Sequence, residues 1–223
     1  MTKYSAWVRE ALAMFTKDLR SELRTKYALN AIVMFAVVTL AAVSFAVGQF
    51  AIGNDVRAAF LWIVLFFSAM SGLGRVFIKE EDANTVHALR LAASPSVVYV
   101  GKLAFNTALL FLLAIIVVPL FTVLMGLQVV NLGLFVGVVL LGTAGLAGAA
   151  TIIAAIIAKA SAKGELFAVL AFPILLPLLI TAIGGTRVAL DGGGGTGEIQ
   201  FLLSYLVVMV TVSLMLFDFV WND

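Results

Sequence analysis

Cysteine is absent from the 223-residue chain. Its absence excludes a disulfide framework, a CxxC redox pair, thiolate metal sites and a CxxCH haem attachment in this chain. Charge is scarce as well, because only 12% of the residues are charged, whereas a soluble domain has about a quarter. Together with a mean hydropathy of +1.16, this indicates that lipid is the solvent for most of the chain.

Groups that carry catalysis are also scarce. The chain has one histidine, His87, and no HExxH, GxSxG or GxxxxGK[ST] motif, so the sequence predicts no metalloprotease, no serine hydrolase and no Walker-type ATP site. No Asp, Glu, Lys or Arg stands in the middle of an apolar run, which disfavours a proton-driven transporter. We expect no catalytic residue, no bound cofactor, no metal site and no enzyme activity in this chain.

Six apolar runs are present instead. They cover residues 29–50, 58–76, 103–127, 132–158, 166–183 and 201–220, and each is near the ~20 residues that a helix needs to cross a bilayer. Strands of a membrane barrel alternate apolar and polar residues, whereas the first run contains AIVMFAVVTLAAVSFAV. We predict an all-α membrane protein with six transmembrane helices in residues 29–220, preceded by a separate segment, 1–28.

Basic residues indicate how the chain sits in the membrane. Of the fourteen Lys and Arg residues, six lie in 1–28, four in 75–102 and two in 159–163, all on one side of the predicted membrane. Only Arg57 and Arg187 lie on the other side. Because Lys and Arg accumulate in cytoplasmic segments, we predict that both termini are cytoplasmic. The last outer loop, 184–200, contains four consecutive glycines and is predicted to be a flexible tether.

The N-terminal segment has the pattern of an amphipathic helix over 4–26. Its apolar side chains recur at spacings of three and four: Trp7, Ala11, Met14, Phe15 and Leu19. A basic helix with an apolar face and a tryptophan is typical of the membrane interface, so we predict an interfacial helix. A solvated cytoplasmic helix is the alternative.

The loop 77–102 is the most polar stretch between two apolar runs. Its acidic residues come first: Glu80, Glu81 and Asp82. A short helix is predicted next, with Val86, Leu89 and Ala93 on one apolar face and Arg90 beside them. The Ser94–Pro95 step ends it, since the residue before proline disfavours the α region. The spacing fits a helix that docks on another protein, and it fits equally an ordinary loop helix at the head groups.

Prolines and glycines interrupt the apolar runs. Pro119, Pro173 and Pro177 each remove a helical hydrogen bond and kink the helix, and they are candidates for a gating motion or for static packing. Glycines in the fourth run, including the pair Gly133 and Gly137, let helices approach closely. They fit packing within the bundle or a homodimer contact.

The order of these features resembles the ABC-2-like permeases and, more narrowly, the cytochrome c maturation protein B family, the haem exporter B subunits. The resemblance is carried by the stretches at 17–32, 74–102 and 132–180 and by the terminal FDFVWND. Many members have Glu at the position of Gly74 and Asp-Gly-(Ser/Thr)-Leu-Glu at the positions of 83–87, where this chain has ANTVH.

The resemblance implies a permease subunit of an ABC transporter complex in the bacterial cytoplasmic (inner) membrane. That complex acts in haem export or haem-chaperone release during c-type cytochrome maturation, with haem as candidate cargo. It implies that the short helix couples the permease to an ATPase, through Val86, Leu89, Arg90 and Ala93. The acidic elbow that precedes this helix consists of Glu80, Glu81 and Asp82.

The implied partners are a separate ABC ATPase, a haem-handling membrane protein, a small single-span subunit and a periplasmic haem chaperone, besides the lipid bilayer. No nucleic-acid partner is expected. Two alternatives remain open at the level of sequence: a permease of the same fold for a lipid, polyketide or drug, and a membrane enzyme or scaffold without transport.

Overall fold

The computed structural model describes residues 3–47, 52–74, 76–82, 85–158 and 163–222. These residues form nine α-helices and no strand. Seven are long: α1 (Lys3–Thr25), α2 (Tyr27–Val47), α3 (Asn54–Leu73), α6 (Pro95–Leu124), α7 (Leu132–Ile157), α8 (Lys163–Asp191) and α9 (Thr196–Asn222). Two short helices, α4 (Ile78–Asp82) and α5 (Val86–Ala92), connect α3 to α6. The predicted all-α class is confirmed.

Six of the helices, α2, α3, α6, α7, α8 and α9, are long and apolar enough to cross a membrane. Each of the six predicted apolar runs falls largely within one of them. The chain is therefore a multi-pass membrane protein. The side on which its ends lie stays a prediction from the distribution of Lys and Arg.

Helix α6 begins at Pro95, eight residues before the apolar run at 103. Proline suits the first turn of a helix because its φ is already helical and no helical partner is lost there. Ser94 before it is extended, with φ −68° and ψ 152°, and it separates α6 from α5, as the Ser-Pro step predicts. The connection between α3 and α6 is therefore shorter than the predicted loop 77–102.

The predicted flexible loop over 184–200 is wrong. Helix α8 continues to Asp191 and α9 begins at Thr196, so only four glycines connect them. Gly192 and Gly195 have φ values of +85° and +58°, which L side chains rarely adopt. The turn is also held from outside, because Asn131 Nδ2 donates to the Gly193 carbonyl at 3.0 Å. The glycines form a tight turn rather than a flexible loop, because two of the turn's positions require a positive φ.

Helix α7 is the centre of the bundle, with 78% of its most apolar stretch buried. Its glycines admit large neighbours: a Cβ on Gly142 would lie 2.2 Å from Trp62 Cη2, and one on Gly145 would lie 2.8 Å from Leu178 Cδ1. Trp62 is fully buried. These two glycines therefore serve helix packing within the bundle.

The apolar stripe of helix α1 packs against helix α6. Ala11 and Met14 are buried, and a Cβ on Gly101 in α6 would lie 2.6 Å from Met14 Cβ. Trp7 Nε1 donates to Ser96 Oγ at 3.2 Å. The stripe predicted for the membrane interface thus packs on α6, and an interfacial position for the rest of α1 stays a prediction.

The three transmembrane prolines lie inside helices that continue through them, Pro119 in α6 and Pro173 and Pro177 in α8. All three are exposed on the outside of the bundle. Tyr205 of α9 donates its hydroxyl to the Ile174 carbonyl at 2.9 Å, between the two α8 prolines. Their role as kinks or gates stays a prediction.

Candidate functional site

The acidic elbow of the sequence forms helix α4, and its three carboxylates differ in exposure. The Glu80 side chain is only 13% exposed, Glu81 is half-buried and Asp82 is exposed. Because an ionised carboxylate is costly to bury without a cation, Glu80 is the residue of α4 that most needs positively charged partners.

Lys102 of α6 supplies one cation. Its side chain is fully buried, and its Nζ lies 3.2 Å from Glu80 Oε1 and 3.3 Å from Asp18 Oδ2. The same Nζ donates to the Val76 carbonyl at 3.1 Å. An ammonium has three donors, so these contacts satisfy the buried lysine completely.

Lys17 of α1 supplies the second cation. Its Nζ pairs with Glu80 and lies 3.3 Å from Asp18 Oδ1. Two lysines and two carboxylates therefore alternate in one network, which we call the charge cluster: Lys17, Asp18, Glu80 and Lys102. It joins α1, α4 and α6 with its charges balanced, as buried ions require.

The charge cluster shifts the pKa values of Glu80 and Lys17. Burial alone would raise the pKa of Glu80, but the Lys102 charge and hydrogen bonds from Lys17 and Thr85 outweigh it and lower that pKa from 4.5 to about 2. For Lys17, burial would lower the pKa, but its hydrogen bond to Glu80 and the charge of Asp18 raise it above 10.5. In both residues the hydrogen bonds and opposite charges outweigh burial and favour the charged form near neutral pH.

Thr85 connects the charge cluster to α5. Its hydroxyl donates to Glu80 Oε2 at 2.7 Å, and its backbone N–H donates to the Glu80 carbonyl at 3.0 Å. Thr85 directly precedes the first residue of α5. A displacement of the start of α5 therefore acts on Glu80, and through Glu80 on the lysines of α1 and α6.

Helix α5 has an inner and an outer face. The apolar residues predicted to dock on a partner, Val86, Leu89 and Ala93, are half-buried and pack against the bundle core. Leu91 is 92% exposed. The face predicted to dock on a partner thus packs against the chain's own bundle, and Leu91 points outwards. The coupling role of the helix stays a prediction.

Aromatic rings fix the C-terminal end of the chain beside α5. Phe217 of α9 lies 5.5 Å from Phe77, 5.2 Å from Tyr99 and 5.3 Å from Trp221, measured between ring centroids. The Arg90 guanidinium lies 5.6 Å from the Trp221 ring centroid, within the range of a cation–π contact. Arg90 is therefore also held by the bundle, and Trp221 provides part of the surface against which α5 packs.

Sequence reasoning missed Lys17, Asp18 and Lys102 as site residues. One signal was present, because Lys102 directly precedes an apolar run of 25 residues, 103–127, and a lysine that faces a bundle needs an anion. Its partner Asp18 is 84 residues away in sequence, so spacing alone could not identify it. Among the described residues, no group of three His, Cys, Asp or Glu side chains could hold a metal ion.

Comparison with known proteins bears on the whole of this arrangement. The family model for CcmB protein matches residues 9–222, which include the charge cluster, α5 and all six membrane-crossing helices. No curated protein matches the chain.

Proposed function

Since the chain belongs to the CcmB family, we propose that it is the permease subunit through which a separate ABC ATPase drives a step of c-type cytochrome maturation. The family consists of haem exporter permeases, and it assigns the chain to haem transport and c-type cytochrome biogenesis. The sequence contains no Walker-type phosphate loop, so ATP hydrolysis is assigned to the partner. The step is haem export or release of a haem-loaded chaperone.

One observation carries the proposal: α5 is a short helix that presents an exposed leucine and is tied at its start to buried charges. Leu91 is 92% exposed, with the small residues Ala88 and Ala92 exposed beside it. Burying a leucine side chain on a partner contributes about 1.5–3 kcal/mol. We therefore place the ATPase contact on Leu91, whereas Val86, Leu89, Arg90 and Ala93 hold the helix in position.

A path from that contact into the membrane follows the charge cluster. Movement of α5 changes the Thr85–Glu80 hydrogen bonds, and Glu80 is held by Lys17 of α1 and Lys102 of α6. Helix α6 crosses the membrane directly from this point. Because buried ion pairs tolerate little separation, the start of α5 and these two helices are expected to move together.

The surroundings of the subunit follow from the same proposal. Twelve of the fourteen basic residues lie on the side of α5, which supports a cytoplasmic position for α5, the charge cluster and both termini. The membrane is then the bacterial cytoplasmic (inner) membrane. The proposed partners, besides the ATPase, are a haem-handling membrane protein, a small single-span subunit and a periplasmic haem chaperone, with haem as cargo rather than cofactor.

Co-purification tests the ATPase contact. We expect tagged wild-type protein to retain the ATPase and Leu91→Asp to retain at least about tenfold less, because a lost leucine contact of 1.5 kcal/mol or more is about a factor of ten in affinity. Haem staining should show a matching loss of c-type cytochromes. Val130→Asp is the control, since Val130 is an exposed residue (69%) in the connection between α6 and α7, at the opposite end of α6.

Two results would contradict the proposal. One is unchanged recovery of the ATPase and unchanged cytochrome assembly in Leu91→Asp. The other is an equal loss in Val130→Asp, which would show that a new charge at any exposed apolar position disturbs the complex.

A further inference from the structure

Helix α1 repeats a three-residue pattern along its length. The triplets are WVR at 7–9, ALA at 11–13, MFT at 14–16, DLR at 18–20 and ELR at 22–24. They begin at successive spacings of four, three, four and four residues, so equivalent positions of the triplets share one face of the helix. The helix therefore carries three parallel stripes, each rotated by about 100° from the one before it.

The first stripe faces the protein. Four of its five members are less than 10% exposed: Ala11, Met14, Asp18 and Glu22. The fifth, Trp7, donates its Nε1 proton to Ser96 of α6. This stripe is therefore already covered by the chain itself.

The second stripe is apolar along its whole length and largely uncovered. It consists of Val8, Leu12, Phe15, Leu19 and Leu23. Val8, Leu12 and Leu23 are 49%, 58% and 59% exposed, and the other two are half-buried. A contiguous row of exposed apolar side chains marks a contact with a membrane or with another protein.

The third stripe is basic and borders the second. Arg9, Arg20 and Arg24 are all exposed, and only the small residues Ala13 and Thr16 lie between them on this face. Neither of the two outward stripes contains an acidic residue. Arginine binds phosphate groups through two parallel N–H donors. An apolar row beside a row of arginines matches a phospholipid surface, in which acyl chains and phosphates lie in adjacent layers.

The position of α1 brings these stripes to the membrane boundary. Gly101 and Lys102 of α6, which contact α1, directly precede the apolar run that begins at residue 103. At the other end of α1, only Lys26 separates it from α2, which is long and apolar enough to cross the membrane. A helix with an apolar face and an adjacent basic face is stable at this depth.

We propose that the second stripe of α1 inserts into the bilayer and that Arg9, Arg20 and Arg24 bind the head groups of anionic phospholipids. The interfacial helix predicted from the sequence combined Trp7, Ala11 and Met14 with Phe15 and Leu19. In the structure these residues divide between the covered first stripe and the uncovered second stripe. The lipid-facing row is therefore a different one, and the arginines beside it determine which lipid it prefers.

Single-cysteine labelling tests the insertion, because the chain has no cysteine of its own. The full-length Leu12→Cys protein is labelled with an environment-sensitive fluorophore and reconstituted, without any partner, in nanodiscs of equal amounts of phosphatidylcholine and phosphatidylglycerol. We expect blue-shifted emission that aqueous iodide does not quench. A label at Glu10→Cys, which is exposed on another face of α1, should be quenched. Equal quenching at both positions would overturn the insertion, and it would indicate that a protein covers the stripe instead.

Native mass spectrometry of the protein released from the same nanodiscs tests the head-group contact. We expect wild-type protein to retain phosphatidylglycerol over phosphatidylcholine. Arg20→Gln should reduce the retained phosphatidylglycerol by about fivefold, as expected for one basic residue lost at an anionic membrane surface. The triple variant Arg9→Gln, Arg20→Gln, Arg24→Gln should abolish the preference at an unchanged melting temperature, because all three side chains are exposed.

The matched control is Arg187→Gln. Arg187 is also exposed, but it lies near the other end of the bundle, four residues before Asp191 on the same helix, and a carboxylate at that spacing offsets its charge. This variant should retain as much phosphatidylglycerol as the wild type. Equal retention of the two lipids by the wild type, or an equal loss in Arg20→Gln and Arg187→Gln, would overturn the proposal. Neither experiment contains an ATPase, so their outcome is independent of the contact proposed for Leu91.

Discussion

Neutralising Glu80 is the sharpest test of the charge cluster. Glu80→Gln keeps the shape and the hydrogen-bond acceptor and removes the charge that Lys17 and Lys102 share. The pKa of Glu80 falls from 4.5 to about 2 in the folded protein. At about 1.4 kcal/mol for each pH unit, this corresponds to about 3 kcal/mol of stability at pH 7. A loss of this size lowers the melting temperature of a chain of this length by about 6–12 °C.

The pH dependence has a defined sign. Because the folded-state pKa lies below the unfolded value, the contribution is complete above about pH 4.5 and declines as the pH falls towards 2. Of the difference in stability between wild type and Glu80→Gln, about 2 kcal/mol should therefore disappear between pH 7 and pH 3. Thermal unfolding in detergent, followed by tryptophan fluorescence, measures both quantities.

The control for this test is Glu10→Gln, which removes an exposed carboxylate of α1. Its free energy of unfolding should stay within about 0.5 kcal/mol of the wild-type value at every pH, as is usual for surface substitutions. A Glu80→Gln protein that behaves like this control, or whose deficit is the same at pH 3 and pH 7, would refute the assignment of a buried, charged Glu80.

Two further predictions concern packing and topology. Gly142→Ala should destabilise the protein by about 1–3 kcal/mol, because the new Cβ meets Trp62. Gly148→Ala should not, because nothing lies within 4 Å of its Cβ. The measurement is the melting temperature of each variant, which should fall only for Gly142→Ala. In this cysteine-free chain, an impermeant thiol reagent should label Val130→Cys in intact cells and Leu91→Cys only after permeabilisation, and the reverse pattern would contradict the predicted orientation.

The membrane-crossing helices were predictable because each is one uninterrupted local signal. About 20 apolar residues specify a span regardless of what it packs against, and each of the six runs falls largely within such a helix. Their ends were less predictable. Hydropathy alone could not show that α6 starts at Pro95, or that α8 continues through Arg187 to Asp191, because helices extend past the apolar run wherever polar residues have partners or solvent.

The faces of the short helices depend on tertiary structure. Periodicity predicted that Val86, Leu89 and Ala93 share one apolar face, and all three pack against the bundle core, although α5 ends at Ala92 and Ala93 follows it. In the sequence, an apolar face does not reveal which surface covers it. The core of the bundle itself covers it. The charge cluster was out of reach for a related reason: its members are distant in sequence, and each alone resembles an ordinary residue of a cytoplasmic segment.

The charge cluster is better understood as a device for position than for stability. Replacing a buried ion pair by well-packed apolar residues is often neutral or stabilising, whereas removing one partner costs about 3–5 kcal/mol. The net gain from Lys102 and Glu80 together is therefore small, but α1, α4 and α6 are held in the one arrangement that satisfies every charge. A helix such as α5, attached to Glu80 through Thr85, cannot shift without moving these elements or exposing an unpaired ion. That property suits the coupling to an ATPase that we propose for α5.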